Sequence, residues 1–370
     1  MTPVKNLVLV VGACVSAFAL CAAAAELPLG LPPFPSVSDN PSSAAKIALG
    51  RKLFEDPRLS STGKVSCSSC HDEKKSFTDG PLETSRGIHG FLSTRNAPSL
   101  LNVAWSTSLY WDGRSGSLEE QAERPFTSPV QMGLLSFEPM LQLVRTDATY
   151  RVRYEDAFSR NADRVTLREL LQSIAVFERT LVAGDSPFDR YWFTGDDLAM
   201  SPAQQRGLAL FRDKGGCTSC HLMGSASALF TDHRFHNLGV GRGDPASLRA
   251  FLATRPSAAQ VAERVTVDPA TSDLGRGVIT HAAVDAGAFR TPSLRNVART
   301  APYMHDGSLK TLDEVISWHI NGGSLTAGQP IKPLISRGLK IISLSSSERA
   351  DLVAFLEALN SPPFVRGTGR

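Results

Sequence analysis

The chain is 370 residues long, 42% hydrophobic and 20% charged, with a formal net charge of +3. That balance fits a folded globular protein and excludes a highly charged disordered one. A charge so near neutrality, with no basic run, gives no ground for nucleic-acid binding.

At the N-terminus, Lys5 precedes an apolar stretch from Leu7 to Ala25 that ends in small residues. The pattern predicts a secretory signal over residues 1–25, cleaved near Ala25-Glu26, and hence a periplasmic product. Two alternatives are a retained membrane anchor and a lipoprotein, because Val11-Gly12-Ala13-Cys14 resembles a processing site that would leave Cys14 lipidated. No later segment is apolar enough to span a bilayer. Residues 27–42 are rich in proline and serine and predict an irregular lead-in, after which helical patterning runs from Ala44 to Phe54.

Next comes the pentapeptide Cys67-Ser68-Ser69-Cys70-His71, repeated later as Cys217-Thr218-Ser219-Cys220-His221. C-x-x-C-H is the attachment pattern for covalent haem c: two cysteines reach neighbouring vinyl groups and the following histidine ligates the iron. Paired C-x-x-C could also make a zinc site or a redox dithiol, but neither requires a histidine after both second cysteines. Of six cysteines, Cys14 and Cys21 lie in the signal and the other four in these motifs, so none remains for a disulfide or a thiol nucleophile.

Periodicity predicts further helices over 137–143, 167–182, 202–211, 312–321 and 346–359, the last opened by a Ser-Ser-Ser-Glu cap pattern. Gly/Pro/Ser/Asp-rich connections separate them, and alternating runs are few. The expected fold is mostly α with extensive loops. The chain also repeats itself: residues 99–113 and 293–307 match at seven of fifteen positions without gaps, and Leu118-Glu119-Glu120 matches Leu312-Asp313-Glu314 at the same offset. Both haem motifs are followed by Phe-Thr-Asp, at Phe77–Asp79 and Phe230–Asp232. This predicts two homologous cytochrome c-like domains, residues 26–195 and 196–370, each around one covalent haem c.

From about Ala45 to Leu359 the sequence resembles the bacterial di-haem cytochrome c peroxidase family, MauG-like relatives that oxidise tryptophans of a partner protein included. The resemblance is carried by Leu49-Gly50-Arg51-Lys52-Leu53-Phe54, both haem motifs, Arg95-Asn96-Ala97-Pro98-Ser99-Leu100, Tyr110-Trp111-Asp112-Gly113-Arg114, Arg234 to Gly239 and Arg290 to Gly307. It implies that His71 is the proximal ligand of a haem that reacts with hydrogen peroxide, and His221 that of an electron-transfer haem. It makes Trp111 the tryptophan between the haems. It also implies a calcium ion held by Asn96, Thr300 and Pro302, hard oxygen donors of the kind Ca²⁺ prefers. The electron source would be a small cytochrome c or cupredoxin, or a protein substrate in the MauG-like version. Family members often form homodimers, but nothing in the sequence locates an interface.

Two departures stand out. The family's sixth ligand to the second haem, a methionine or tyrosine, falls on the helix 312–321, which has neither; its one good iron ligand is His319, nineteen residues after Thr300. Bis-histidine ligation follows as the expectation, with Met304 and a non-ligating surface His319 as rivals. Thioether ligation raises haem potential, so imidazole in its place predicts a low-potential second haem. The family's distal glutamate, in a Pro-Val-Glu-Met-Gly turn, is replaced in Pro129-Val130-Gln131-Met132-Gly133. A glutamine orients peroxide but cannot shuttle a proton. Gln121 keeps the family's second distal residue, and His89 in Gly87-Ile88-His89-Gly90 is the candidate substitute base or removable cap. His236 and His305 are expected on haem propionates or loop backbone; His233 and His281 are given no role. Three functions remain open: a peroxidase, a MauG-like oxidant of a partner protein, and a non-enzymatic electron carrier.

Overall fold

The computed structural model describes residues 27–326, 328, 335–336 and 339–362. The expected signal segment, with Cys14, lies outside them. In chain order come α1 (Ala44–Glu55), the one-turn α2 (Cys67–Cys70), α3 (Leu118–Thr127), α4 (Glu138–Thr146), α5 (Ala148–Phe158), α6 (Leu167–Arg179), a short α7 (Pro187–Asp189) and α8 (Pro202–Arg212). There follow α9 (Pro245–Ala253), α10 (Ala258–Val267), α11 (Pro269–Asp273), α12 (Gly277–Thr280), α13 (Leu312–Ile320) and α14 (Ser346–Glu357). The sheet content among the described residues is one two-residue ladder, β1 (Phe235–His236) antiparallel to β2 (Phe289–Arg290).

Local chemistry starts the helices where the sequence predicts. Ser43 caps α1 by accepting from the Lys46 amide. Reciprocal boxes of Thr166 with Glu169, Ser201 with Gln204, Thr311 with Glu314 and Ser345 with Glu348 open α6, α8, α13 and α14. α6 ends at Arg179, short of the expected Val182, because the Thr180 and Leu181 amides turn back in three-residue steps onto Phe177 and Glu178. α3 was not expected, since Pro125 lies inside it. The helix tolerates the missing N–H because the carbonyl it would have served, Gln121 O, accepts from the Tyr110 hydroxyl at 3.1 Å.

Two helix pairs carry the two main cores. α1 crosses α6 so closely that a Cβ on Gly50 would lie 1.8 Å from the Ser173 carbonyl oxygen; α8 crosses α14 with Gly207 1.9 Å from Asp351 O in the same sense. Phe54 meets Phe177 at 5.2 Å in the first pair, and Phe211 meets Phe355 at 5.0 Å in the second. The first core gathers residues from Leu49 to Leu181, the second from Phe188 to Leu359. A third small core of Leu248, Phe251, Val261, Val265, Leu274, Val278 and Ala286 forms an unforeseen helical insertion between β1 and β2. It is tied to the first half by Arg95, whose guanidinium donates to Ser272 Oγ and O.

Candidate haem sites

Each haem motif follows the first helix of its pair, α1 or α8, and presents its histidine in the same way. His71 Nδ1 lies 3.0 Å from Phe77 O, and His221 Nδ1 lies 2.9 Å from Phe230 O. Phe77 and Phe230 hold φ at 58° and 52°, an uncommon conformation for a bulky residue. In both loops this turns the carbonyl onto the imidazole, a role for the repeated Phe-Thr-Asp. His319, on α13, has Nδ1 2.7 Å from Val315 O. A backbone carbonyl accepts only, so all three rings carry their proton on Nδ1 and keep the Nε2 lone pair free, the arrangement typical of metal-ligating histidine. Burial depresses His71 and His319; burial, and then the neighbouring His319, hold His221 down to about 4 against the opposing Phe230 bond. All three are neutral at pH 7.

These histidines and the four cysteines line one continuous cavity of about 440 Å³, within the range of cofactor sites. Its walls are largely apolar, from Ile174, Met132 and Leu118 in the first half to Leu352, Leu356 and Ile316 in the second. The residues therefore fit covalent haem: neutral ligand nitrogens, paired cysteines and a hydrophobic cleft. They fit the alternatives poorly. Burial pushes Cys70 and Cys217 up to about 11, far from the thiolate a redox dithiol needs. The four cysteines do not converge, and the group with metal-ligand spacing among the described residues is Cys220, Asp232 and His236, of which Cys220 belongs to the second Cys-x-x-Cys-His motif.

Trp111, Gln121 and Gln131 line the same cavity. The Trp111 indole N–H donates to Asn96 O at 2.9 Å. Next to it, Asp112 is fully buried between Arg95 (2.7 Å) and Arg114 (2.8 Å), which hold its carboxyl low against the opposing effect of burial. Asn96, Thr300 and Pro302 are also cavity residues. Asn96 is buried, with its amide on the Leu82 and Glu83 carbonyls, so the neighbourhood is rich in neutral oxygen donors. Met304 lines the cavity as well.

One expectation is corrected. His89 is exposed, lies outside the cavity and packs edge-on against Phe91; a φ of 54° on the Ile88–Gly90 turn points this loop outwards. His236 bonds Asp232 at 2.8 Å and His305 bonds Asp273 at 3.2 Å, and both line the cavity. His233, given no role, lines the cavity.

Two residues escaped sequence reasoning. At the repeat offset of 194 that relates Ser99 to Ser293, Pro125 on α3 is the counterpart of His319 on α13, and both line the cavity. At the offset of 178 that relates Ser173 to Asp351, Glu178 on α6 is the counterpart of Leu356 on α14, again both in the lining. Glu178 is 4% exposed, its Oε2 has no partner, and burial pushes its carboxyl up to about 8. Its signal was present: it sits four residues after Ile174 on the apolar stripe of an amphipathic helix.

Comparison with known proteins gives consistent likenesses. Residues 44–197 match the family model for di-haem cytochrome c peroxidase. The methylamine utilization protein MauG of Methylorubrum extorquens is 37% identical over 331 residues, covering 89% of this chain and 82% of that protein. The cytochrome-c peroxidase IdrP1 of Denitromonas iodatirespirans is 38% identical over 357 residues, covering 95% and 91%. Among solved structures, a MauG-like protein associated with microbial copper homeostasis superposes with a TM-score of 0.76 at 34% identity, covering 91% of this chain and 95% of that one.

Proposed function

The chain belongs to the di-haem cytochrome c peroxidase family of oxidoreductases, and on that footing we propose that it reduces hydrogen peroxide to water in its first half with electrons delivered through its second. The observation that carries this is the Pro125/His319 pair. The second half offers imidazoles from both His221 and His319, whereas the first offers His71 and, in the matching place, a proline that cannot ligate. One iron would be closed and the other open to an oxidant.

When bound, the haems supply iron that accepts electrons from a donor and passes them to peroxide. His71 Nε2 would hold the first iron, His221 and His319 Nε2 the second, with Cys67, Cys70, Cys217 and Cys220 as attachment points. Each backbone carbonyl on Nδ1 fixes its ring and raises its basicity. Gln121 and Gln131 orient peroxide by hydrogen bonds. Each turnover consumes two electrons and two protons per peroxide and yields two waters; Gln131 moves neither proton. Trp111, pinned by Asn96 O, stands between the two motifs as an oxidisable relay. The buried oxygens around Asn96, Thr300 and Pro302 support a Ca²⁺ site joining the halves. The product of cleavage after Ala25 would work in the periplasm, with a small cytochrome c or copper protein as donor.

A second reading rests on Gln131 and on His319, neither of which follows the peroxidase pattern: peroxide then drives oxidation of aromatic residues on a partner protein, the activity the MauG-like relatives suggest. Steady-state assays decide. Rapid peroxide consumption with reduced small cytochrome c is expected. Consumption only when a protein substrate is supplied favours the second reading, and inertness towards peroxide in every redox state defeats both.

A further inference from the structure

A buried cation needs an anion or a full set of acceptors. Three arginines with side chains at most 8% exposed meet that requirement: Arg95 and Arg114 share Asp112, and Arg295 pairs with Asp189 at 2.8 Å and with Gly30 O. Arg290 does not. Its side chain lines the cavity, no described carboxylate forms an ion pair with it, and its one side-chain bond, Nε to Tyr110 O, is stretched to 3.5 Å. Burial, unopposed by any anion, pushes it down to about 10.

Beside Arg290 stands His233, whose Nδ1 is buried without a partner and whose backbone holds φ at 56°. Burial and then Arg290 keep that ring neutral, against Asp232; Asp232 itself is committed to His236. Backbone contacts fix the pair. Thr231 Oγ1 donates to Thr291 O at 2.7 Å, the His233 amide donates to Thr231 Oγ1 at 3.0 Å, and the Arg290 amide donates to Trp111 O at 2.8 Å. A cation without a carboxylate and a neutral imidazole whose Nδ1 has no partner thus face the cavity together.

We infer that Arg290 and His233 form a carboxylate-binding site whose occupant is a propionate of the haem attached at Cys217 and Cys220. This rests on reading that motif as a haem site. The second haem is specified because His233 lies on the loop that starts at Phe230, the residue holding His221, and because Thr231 and Thr291 lock that loop to Arg290. The bond from Arg290 to Trp111 O places this carboxylate beside the segment between the halves. A guanidinium there offsets the propionate charge, disfavours ferric iron and so raises the potential of the second haem.

The test is a redox titration of the intact di-haem protein, with haems counted by mass on every preparation. Arg290→Gln should shift the second haem's potential downward by more than the first's. His233→Phe should lower it less, and Arg290→Lys should retain most of the wild-type value. Unchanged potentials in Arg290→Gln, or a drop in Arg290→Lys as large as in Arg290→Gln, overturn the site. If Arg290→Gln fails to accumulate with both haems, the other two variants decide: the inference stands if His233→Phe falls while Arg290→Lys holds, and fails if His233→Phe stays at the wild-type value. A wild-type mass lacking two haems would instead sink the haem reading itself.

Discussion

The two halves of the molecule are built alike and equipped differently. In both, a glycine-mediated helix crossing supports a phenylalanine 6.5 Å from the motif histidine, Phe54 on His71 and Phe211 on His221. In both, a strained phenylalanine carbonyl fixes that histidine. The differences fall at matched cavity positions: Pro125 against His319, Gln121 against Val315, Glu178 against Leu356, Trp111 against His305 and Asn96 against Arg290. The first half has a proline where the second has a ligand, and an amide and a carboxyl where the second has Val315 and Leu356. The scaffold thus fixes where a haem would sit, and a handful of side chains decides whether its iron is open or closed.

The sharpest way to break this contrast is Pro125→His. An imidazole where the second half has His319 should close the first iron, abolish most peroxide turnover, and turn a high-spin resonance signal low-spin. Retained turnover with an unchanged spin state would mean that the matched positions are not functionally equivalent. Gln131→Glu restores a proton-shuttling carboxylate to the first half and should raise turnover, by up to roughly 100-fold if proton transfer limits the rate; no gain shows that protons travel another way. Chelation by EGTA tests the joint between the halves. It should lower turnover several-fold, with Ca²⁺ restoring it and Mg²⁺ failing to, since Mg²⁺ dehydrates reluctantly and demands tighter geometry.

Glu178 bears on stability rather than on turnover. Its folded value of about 8 lies above the ordinary 4.5, so the folded state holds a proton that the unfolded state releases. Stability from this site is intact below about pH 4.5 and falls as pH rises to about 8, with a limiting slope of about 1.4 kcal/mol per pH unit. Glu178→Leu, which copies Leu356, should remove that slope. Denaturant unfolding at pH 5 and pH 9 should show the variant's advantage growing with pH; a constant gap would mean that Glu178 is ionised throughout or compensated by another group.

Much of the site was legible because its chemistry is written in adjacent residues. The attachment motifs, the Phe-Thr-Asp loops and the capping boxes act over a few positions, so spacing reveals them. His319 emerged because its helix offered no other strong ligand. His89 misled because a histidine between glycines suits a mobile distal loop, yet nothing local states which way a left-handed turn will point. α3 was hidden by Pro125, whose helix survives through the Tyr110 hydroxyl on Gln121 O.

The sequence by itself determined the two Cys-x-x-Cys-His motifs, the internal repeat and most helix starts, because motif spacing, capping and amphipathic period are short-range. Only the tertiary structure decided that His221 and His319 share one part of the cavity, that Pro125 takes the matching place in the first half, that Glu178 is buried with Oε2 unpartnered, and that Arg290 faces the cavity without an ion pair. Those outcomes depend on the packing of segments tens to hundreds of residues apart, where burial removes water and leaves a charge only what its neighbours provide.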